Sequence, residues 1–134
     1  MRVLRLRCDV KPDALRLALD SLDAVAVRPG LAESMEEFEL AHHLAKASFE
    51  KKRNIARNMR IEFLLWLSGK TDIRSAILEA TPRSGDGEFF VAVFSDTDIE
   101  AVCRKLEAKK LPLSLRNEGE PLALERISLS RVKN

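Results

Sequence analysis

An almost unbroken apolar run near the middle of the chain most constrains how the chain can fold. Residues 61–67 are apolar except for Glu62, so this stretch has to lie in the interior of the protein. The run has too little polar alternation for a half-exposed strand, and we therefore predict a buried β-strand. The sequence Ser-Gly-Lys-Thr follows at residues 68–71 and predicts a turn that leads into a helix.

A strongly basic segment precedes the apolar run. Residues 51–60 contain five cationic side chains and no acid. If the helix predicted before this segment continues through it, Arg53, Arg57 and Arg60 lie on one face. Like charges at that spacing repel by roughly a few tenths of a kcal/mol per pair. An anionic partner would remove this repulsion, so the segment is a candidate anion-binding surface.

Two asparagines, Asn54 and Asn58, are interleaved with these cations. Their amides can donate to and accept from base edges as well as phosphates, which favours nucleic acid as the anion. Phe63 and Trp66 are expected to be buried, so few aromatic rings remain for stacking a long single strand. A short nucleic-acid tract fits better. The alternative interpretation is a solvated helix end, which is the usual role of a basic run.

The rest of the pattern mixes strands and helices. Strands are predicted over residues 2–8, 24–27 and 89–94, and helices begin near residues 12, 34, 71 and 97. Capping boxes are predicted at Ser34 with Glu37 and at Thr97 with Glu100. The tail, residues 121–129, has a period that fits either a short helix or an edge strand. We predict an α+β fold, one domain over residues 1–134 with helices packed on a small, mostly antiparallel or mixed sheet.

Composition excludes few classes of protein. The chain has 134 residues, 46% of them apolar and 33% charged, and a net charge of +2, so a nucleic-acid role has to depend on clustering. Cys8 and Cys103 are far apart in sequence and are expected to be reduced core thiols. The first residues are too charged for a signal peptide and no apolar run reaches membrane-span length, so we expect a cytoplasmic protein.

Metal and catalytic sites are not indicated by the sequence. His42 and His43 are adjacent, so they diverge on a helix, and no cysteine or acid has ligand spacing beside them. The Gly-Lys-Thr of residues 69–71 resembles the end of a phosphate-binding loop, but the first glycine of that motif would fall at Leu64. No nucleophile with an activating base is evident. What remains is a helix start beside Lys70, whose free amides could hold an anion. We therefore expect no metal, no cofactor and no catalytic residues.

Several segments together are similar to a known family. They are Ser34, the His-His-Leu-Ala of residues 42–45, the Arg-Asn-Ile-Ala-Arg-Asn of residues 53–58, residues 62–70 and residues 73–77. This series resembles the Cgi121 family, the small accessory subunits of the archaeal KEOPS complex, which are related to eukaryotic TPRKB. The resemblance is most specific across residues 34–80.

The resemblance implies a non-catalytic subunit of the complex that installs threonylcarbamoyl on adenosine 37 of tRNA. Such a subunit recruits tRNA through its single-stranded 3′ CCA end and binds the Bud32 kinase/ATPase. Matching the motif to the basic chemistry gives the expected RNA-binding residues, which are Lys52, Arg53, Asn54, Arg57, Asn58, Gly69, Lys70, Ile73 and Arg74. By position in the family, the expected kinase-binding residues are Leu122, Leu124, Ile127 and Leu129.

Two other functions stay open from the sequence. One is a pure protein-interaction module that regulates an atypical kinase and whose basic segment meets acidic groups of that partner. The other is a small stand-alone enzyme, for which no residue constellation argues. The first differs from RNA binding in a testable way, because it predicts that charge reversal in the basic segment abolishes kinase binding rather than RNA binding.

Overall fold

The computed structural model describes residues 1–132. This part of the chain contains four strands and six helices, in the order β1 (Arg2–Arg7), α1 (Pro12–Asp20), β2 (Ala24–Val27), α2 (Met35–Glu50), α3 (Met59–Ser68), α4 (Ile73–Ala80), β3 (Glu88–Val93), α5 (Ile99–Leu106), β4 (Lys109–Leu111) and α6 (Pro121–Ser128). The strands form one antiparallel sheet, so the predicted α+β class is confirmed. No helix within these residues is both long and apolar enough to cross a membrane.

The chain divides into two compact units. The first comprises residues 1–29 and 81–114 and carries the sheet, in the order β2-β3-β1-β4. Leu4 and Leu6 alternate along β1 toward a core that they share with Leu15 and Leu19 of α1 and Val102 of α5. Burying such aliphatic side chains is worth about 1.5–3 kcal/mol each. Cys8 and Cys103 are free, buried thiols in the same core, as predicted.

The second unit, which begins at residue 30, is helical: residues 30–80 and the segment from residue 115. Its central element is α3, in which every residue from 62 to 68 is buried. It packs against α2, α4 and α6, and the rings of Phe38 and Phe63 stack with centroids 6.2 Å apart. A helix surrounded on all sides is apolar all round, so it shows no amphipathic period.

The predicted strand at residues 61–67 is therefore wrong, because these residues belong to α3. A short apolar run cannot distinguish a buried strand from a buried helix by periodicity. The helix signals were at its ends. Asn58 is the N-cap and accepts a hydrogen bond from the Ile61 amide at 3.0 Å. Gly69 ends the helix with a left-handed φ of 71°, a conformation that glycine adopts without strain.

The basic segment does not continue the helix that precedes it, so the condition for a shared arginine face is not met. Helix α2 starts at the Ser34 cap as predicted, but it ends at Glu50, and residues 51–58 form a loop that we call the basic loop. Lys52 has a left-handed φ of 57°, which is incompatible with continuing the helix. The three arginines therefore do not form a helical stripe.

Smaller boundaries also differ from the predictions. The cap before α5 is Asp98 rather than Thr97, and α5 ends at Leu106, well before Pro112. A short strand, β4, occupies residues that the sequence pattern assigned to the end of that helix. The ambiguous tail is helical over Pro121–Ser128. The expectation of a single domain stays a prediction.

Candidate nucleic-acid interface

The basic loop exposes an unusual density of unpaired positive charge. Lys51, Lys52, Arg53 and Arg57 are all exposed. Within residues 1–132, none of the four makes an ion pair with an aspartate or glutamate. Four cations within residues 51–57 raise the local electrostatic potential, which attracts an anion and repels further cations.

One buried carboxylate holds the basic loop in place. Glu62 on α3 is 0% exposed. Its Oε1 accepts hydrogen bonds from the backbone amides of Ile55 and Ala56, both at 2.9 Å. Its Oε2 accepts from Ser48 Oγ at 2.7 Å and from Arg131 Nη1 at 2.6 Å. The single acid in the apolar run is thus the anchor for the loop that precedes it.

Burial alone would raise the pKa of the Glu62 carboxyl. Hydrogen bonds from Arg131, Ala56 and Ser48, together with the positive charge of Arg131, outweigh that effect and hold the pKa below its ordinary value. Glu62 is therefore ionised at neutral pH. An ionised acceptor makes stronger hydrogen bonds to the loop amides than a neutral acceptor would.

The two asparagines of the basic loop are partly engaged in its own structure. Asn54 Nδ2 donates to the Ala56 carbonyl at 2.8 Å, and Asn58 Oδ1 caps α3. Within residues 1–132, the Asn54 side-chain carbonyl oxygen and the Asn58 side-chain amide nitrogen make no hydrogen bond, so each side chain retains capacity for a ligand. Their first role is to shape the loop, which sequence reasoning did not anticipate.

A groove lies beside the basic loop. Its volume is about 860 Å³, within the range of ligand-binding clefts. The residues that line it are Leu44, Ala47, Ser48, Lys51, Arg53, Ile55, Trp66, Thr71, Ser130, Arg131 and Val132. This set combines three cations with an apolar wall and includes no carboxylate. The groove therefore suits an anionic ligand that also carries a flat or apolar part.

Arg131 covers the one aromatic ring of the groove. Its guanidinium carbon lies 4.2 Å from the centroid of the Trp66 ring, a cation–π contact. Nη1 of the same side chain also approaches the Arg53 carbonyl at 3.4 Å. Trp66 is itself only 8% exposed, and its indole nitrogen donates to Ser48 Oγ at 3.3 Å. The expectation that Trp66 is buried is confirmed.

The RNA-binding residues predicted around the start of α4 lie outside the groove. Lys70, Ile73 and Arg74 are exposed, but they do not line the groove. Gly69 packs against Arg126 of α6, whose Nη1 donates to the Ser68 carbonyl at 3.0 Å, so this glycine has a structural role.

The start of α4 is already capped by an acid. Asp72 accepts from the Ser75 hydroxyl at 2.8 Å and from the Ser75 amide at 2.9 Å, and these two hydrogen bonds lower the pKa of Asp72. A carboxylate at the helix start satisfies an amide that an external anion would need, so the predicted anion site beside Lys70 is weakened. Of the RNA-binding residues predicted, only Arg53 lines the groove, and Lys52, Asn54, Arg57 and Asn58 belong to the loop that borders it.

The three leucines and one isoleucine predicted to bind a partner differ in their exposure. Leu122 and Leu129 are 80% and 50% exposed, whereas Ile127 is completely buried in the second unit. Leu124 is half-buried and packs close to Gly119. Ile127 therefore has no surface with which to contact a partner, and its place in the prediction is wrong. Leu122 and Leu129 keep the accessibility that such a contact needs.

Sequence reasoning missed three residues of this region: Glu62, Ser48 and Arg131. Glu62 carried a signal, because a lone acid inside an apolar run has to be paired when buried. Ser48 and Arg131 carried none, because nothing in the local pattern connects them with the basic loop.

Comparisons with known proteins do not identify this chain. No protein-family model matches it, and no curated protein does. The resemblance to the Cgi121 family across residues 34–80 therefore stays a prediction. Within residues 1–132, no group of three or more histidine, cysteine, aspartate or glutamate side chains could hold a metal ion.

Proposed function

We propose that this protein binds the single-stranded 3′ CCA end of tRNA through the basic loop and the groove beside it. The observation that carries the proposal is the set of four exposed cations, Lys51, Lys52, Arg53 and Arg57, which have no carboxylate partner within residues 1–132. Anionic phosphates would satisfy this charge. Counterion release on phosphate binding would then supply much of the affinity.

The dimensions of the groove favour a strand end over a duplex. A cleft of about 860 Å³ with an apolar wall accommodates one or two unstacked nucleotides. The cleft is too small for a duplex. Among the described residues that line it, Trp66 is the single aromatic one and lies under Arg131, which argues against stacking an extended strand. Unpaired RNA ends are common targets of sequence-specific recognition because their bases are free to be splayed out and read.

In the cell, we propose that the protein acts in the cytoplasm as a non-catalytic subunit of the KEOPS complex. In this role it brings tRNA to the machinery that makes threonylcarbamoyladenosine and binds the Bud32-type kinase. The resemblance of residues 34–80 supports this assignment. The exposed apolar side chains of Leu122 and Leu129 supply a surface of the kind that a kinase contact requires.

A titration of the full chain with intact tRNA, and with the same tRNA lacking its CCA, tests the proposal. Removal of the three unpaired nucleotides is expected to abolish most of the binding. Three phosphate contacts to a single strand would give a slope of about −2 for log affinity against log salt. Equal affinity for the two RNAs, or a slope near zero, would exclude this mode of binding.

The competing function is a protein-interaction module without RNA contact. It also uses the unpaired cations, which would then meet acidic groups on the kinase. The two functions predict opposite effects of Arg57→Glu and of Leu122→Arg on kinase binding. Leu122→Arg should abolish kinase binding if the protein recruits RNA and contacts the kinase through α6, and should preserve it if the basic loop makes the kinase contact. RNA recruitment predicts that Arg57→Glu weakens tRNA binding and preserves kinase binding, whereas the pure interaction module predicts that Arg57→Glu abolishes kinase binding.

A further inference from the structure

Within residues 1–132, Glu62 forms an ion pair with one cation, Arg131. Glu62 is completely buried and receives four hydrogen bonds, three of them from neutral groups and one from Arg131. A buried carboxylate without a counter-charge is costly. Removing the Arg131 guanidinium would leave the Glu62 carboxylate buried without a counter-charge.

The same carboxylate sets the conformation of the basic loop. The consecutive amides of Ile55 and Ala56 both point at Glu62 Oε1, at 2.9 Å each. Consecutive amides aimed at one oxygen form an anion-binding concavity, here occupied by the protein's own acid. Arg131 thus acts on the basic loop through Glu62, in addition to its own approach to the Arg53 carbonyl at 3.4 Å.

The Arg131 guanidinium has few other hydrogen bonds. Its Nε and Nη2 are buried and have no hydrogen-bond partner among the described residues. Its side chain is 16% exposed, and the guanidinium carbon lies over the Trp66 ring, 4.2 Å from the centroid. Burying these two donors without a partner is unfavourable. The ion pair with Glu62 and the contact with Trp66 therefore have to offset this cost and hold the guanidinium in place.

We infer that Arg131 is a positioning residue for RNA binding. It supplies the counter-charge of the buried Glu62 and so holds the basic loop in the conformation that presents Lys51, Lys52, Arg53 and Arg57. Arg131 also lines the groove, but it acts on RNA affinity through Glu62 rather than through a contact of its own with the RNA. This inference rests on the proposed function. It also extends that function, because it makes the RNA-binding loop dependent on the segment that follows α6.

The test compares variants that distinguish the loss of the Glu62 counter-charge from a change in the net charge of the protein. Arg131→Met keeps an unbranched side chain but removes the cation, so the Glu62 carboxylate is left without a counter-charge. Adding Glu62→Gln removes the stranded charge while retaining an amide oxygen for the loop. Adding Glu118→Gln instead is the control: it restores the same net charge at an exposed position but leaves the Glu62 carboxylate without its counter-charge. Two quantities are measured on the full chain: hydrogen exchange of the Ile55 and Ala56 amides without RNA, and the Kd for intact tRNA.

Arg131→Met is expected to speed exchange of both amides about tenfold or more, since local opening sets their protection. Its tRNA affinity is expected to fall about tenfold, which corresponds to about 1.4 kcal/mol. Arg131→Met with Glu62→Gln should recover both quantities to within about threefold of the wild type. Arg131→Met with Glu118→Gln should recover neither. Circular dichroism checks that each variant is folded.

Three results would overturn the inference. Wild-type protection of Ile55 and Ala56 in Arg131→Met would show that Arg131 does not hold the loop. Weak RNA binding by the Glu62→Gln double variant, with its amides protected, would make Arg131 a direct RNA contact. Equal recovery by both double variants would make net charge the cause. If the wild type does not bind tRNA, the proposed function fails, while the exchange rates still decide whether Arg131 positions the loop.

Discussion

Arg131 and Glu62 form a 2.6 Å ion pair that connects the segment after α6 with the first turn of α3. The carboxylate is 0% exposed and the arginine side chain 16% exposed, so solvent screens the pair little. Because Glu62 also accepts from two amides of the basic loop, this pair connects the segment after α6 both with α3 and with the loop that directly precedes α3. Loss of the pair should therefore change both the free energy of unfolding and the hydrogen-exchange rates of the basic-loop amides.

Arg131→Met should lower the free energy of unfolding by about 3 kcal/mol, at the lower end of the range for breaking a buried ion pair. The low end applies because Ser48 and two amides still donate to Glu62. Urea denaturation measures this loss. Arg104→Met, at an exposed position of α5, is the control and should change stability by no more than about 0.5 kcal/mol. A loss in Arg131→Met no larger than the control would contradict a stabilising pair.

Stability should fall on acidification in a way that depends on Glu62. The pKa of Glu62 is lower in the folded protein than the ordinary glutamate value of about 4.3. As the pH falls, the unfolded state therefore takes up this proton first. The contribution of Glu62 is complete at neutral pH and is lost as the pH passes below about 4.3 through the folded value. Urea midpoints from pH 7 downward should fall more steeply for the wild type than for Glu62→Gln, and parallel curves would refute this assignment.

Arg57→Glu should weaken tRNA binding while leaving stability unchanged. Arg57 is exposed and makes no ion pair within residues 1–132, so reversing its charge breaks no internal contact. We expect at least a tenfold loss of affinity, about 1.4 kcal/mol, and a change in unfolding free energy within about 0.5 kcal/mol. Arg104→Glu makes the same charge change on α5 and serves as the control. An equal loss of affinity in both variants would mean that overall charge, rather than the basic loop, governs binding.

Gly69→Ala should affect stability rather than RNA recognition. Gly69 has a φ of 71°, and an added Cβ would lie 3.4 Å from Arg126 Cγ. A left-handed conformation costs a non-glycine residue about 1–2 kcal/mol. Thermal or urea unfolding should show a loss of that size, and tRNA affinity should stay within about twofold of the wild type. Gly87→Ala, where an added Cβ meets nothing within 4 Å, is the matched control.

Leu122→Arg and Ile127→Ala should separate a partner contact from a core contact on the same helix. Leu122 is 80% exposed, so its substitution should leave stability unchanged and should abolish kinase binding if α6 forms that contact. Ile127 is completely buried, and its truncation should cost about 2–5 kcal/mol. Pull-down with the purified kinase and urea denaturation measure the two effects. Full kinase binding by Leu122→Arg would remove this residue from the proposed interface.

Much of the secondary structure followed from local signals. Strand β1 alternates Leu4 and Leu6 with arginines, α2 begins at a Ser34 cap, and Gly69 ends α3. These features act over a few residues, so a single sequence carries them. The strand predicted at residues 61–67 failed because a helix buried on every side has the same apolar composition as a buried strand. The packing of α2, α4 and α6 around α3 removes the period that would distinguish them.

The candidate site divides in the same way. The excess positive charge of residues 51–60 follows from their amino-acid composition alone. The shape in which that charge is presented follows from folding: a loop rather than a helical stripe, held by hydrogen bonds to Glu62. That outcome depends on Arg131, which reaches the same carboxylate from the far end of the chain. A contact between residues so distant in sequence forms only when the chain folds, and no local pattern encodes it.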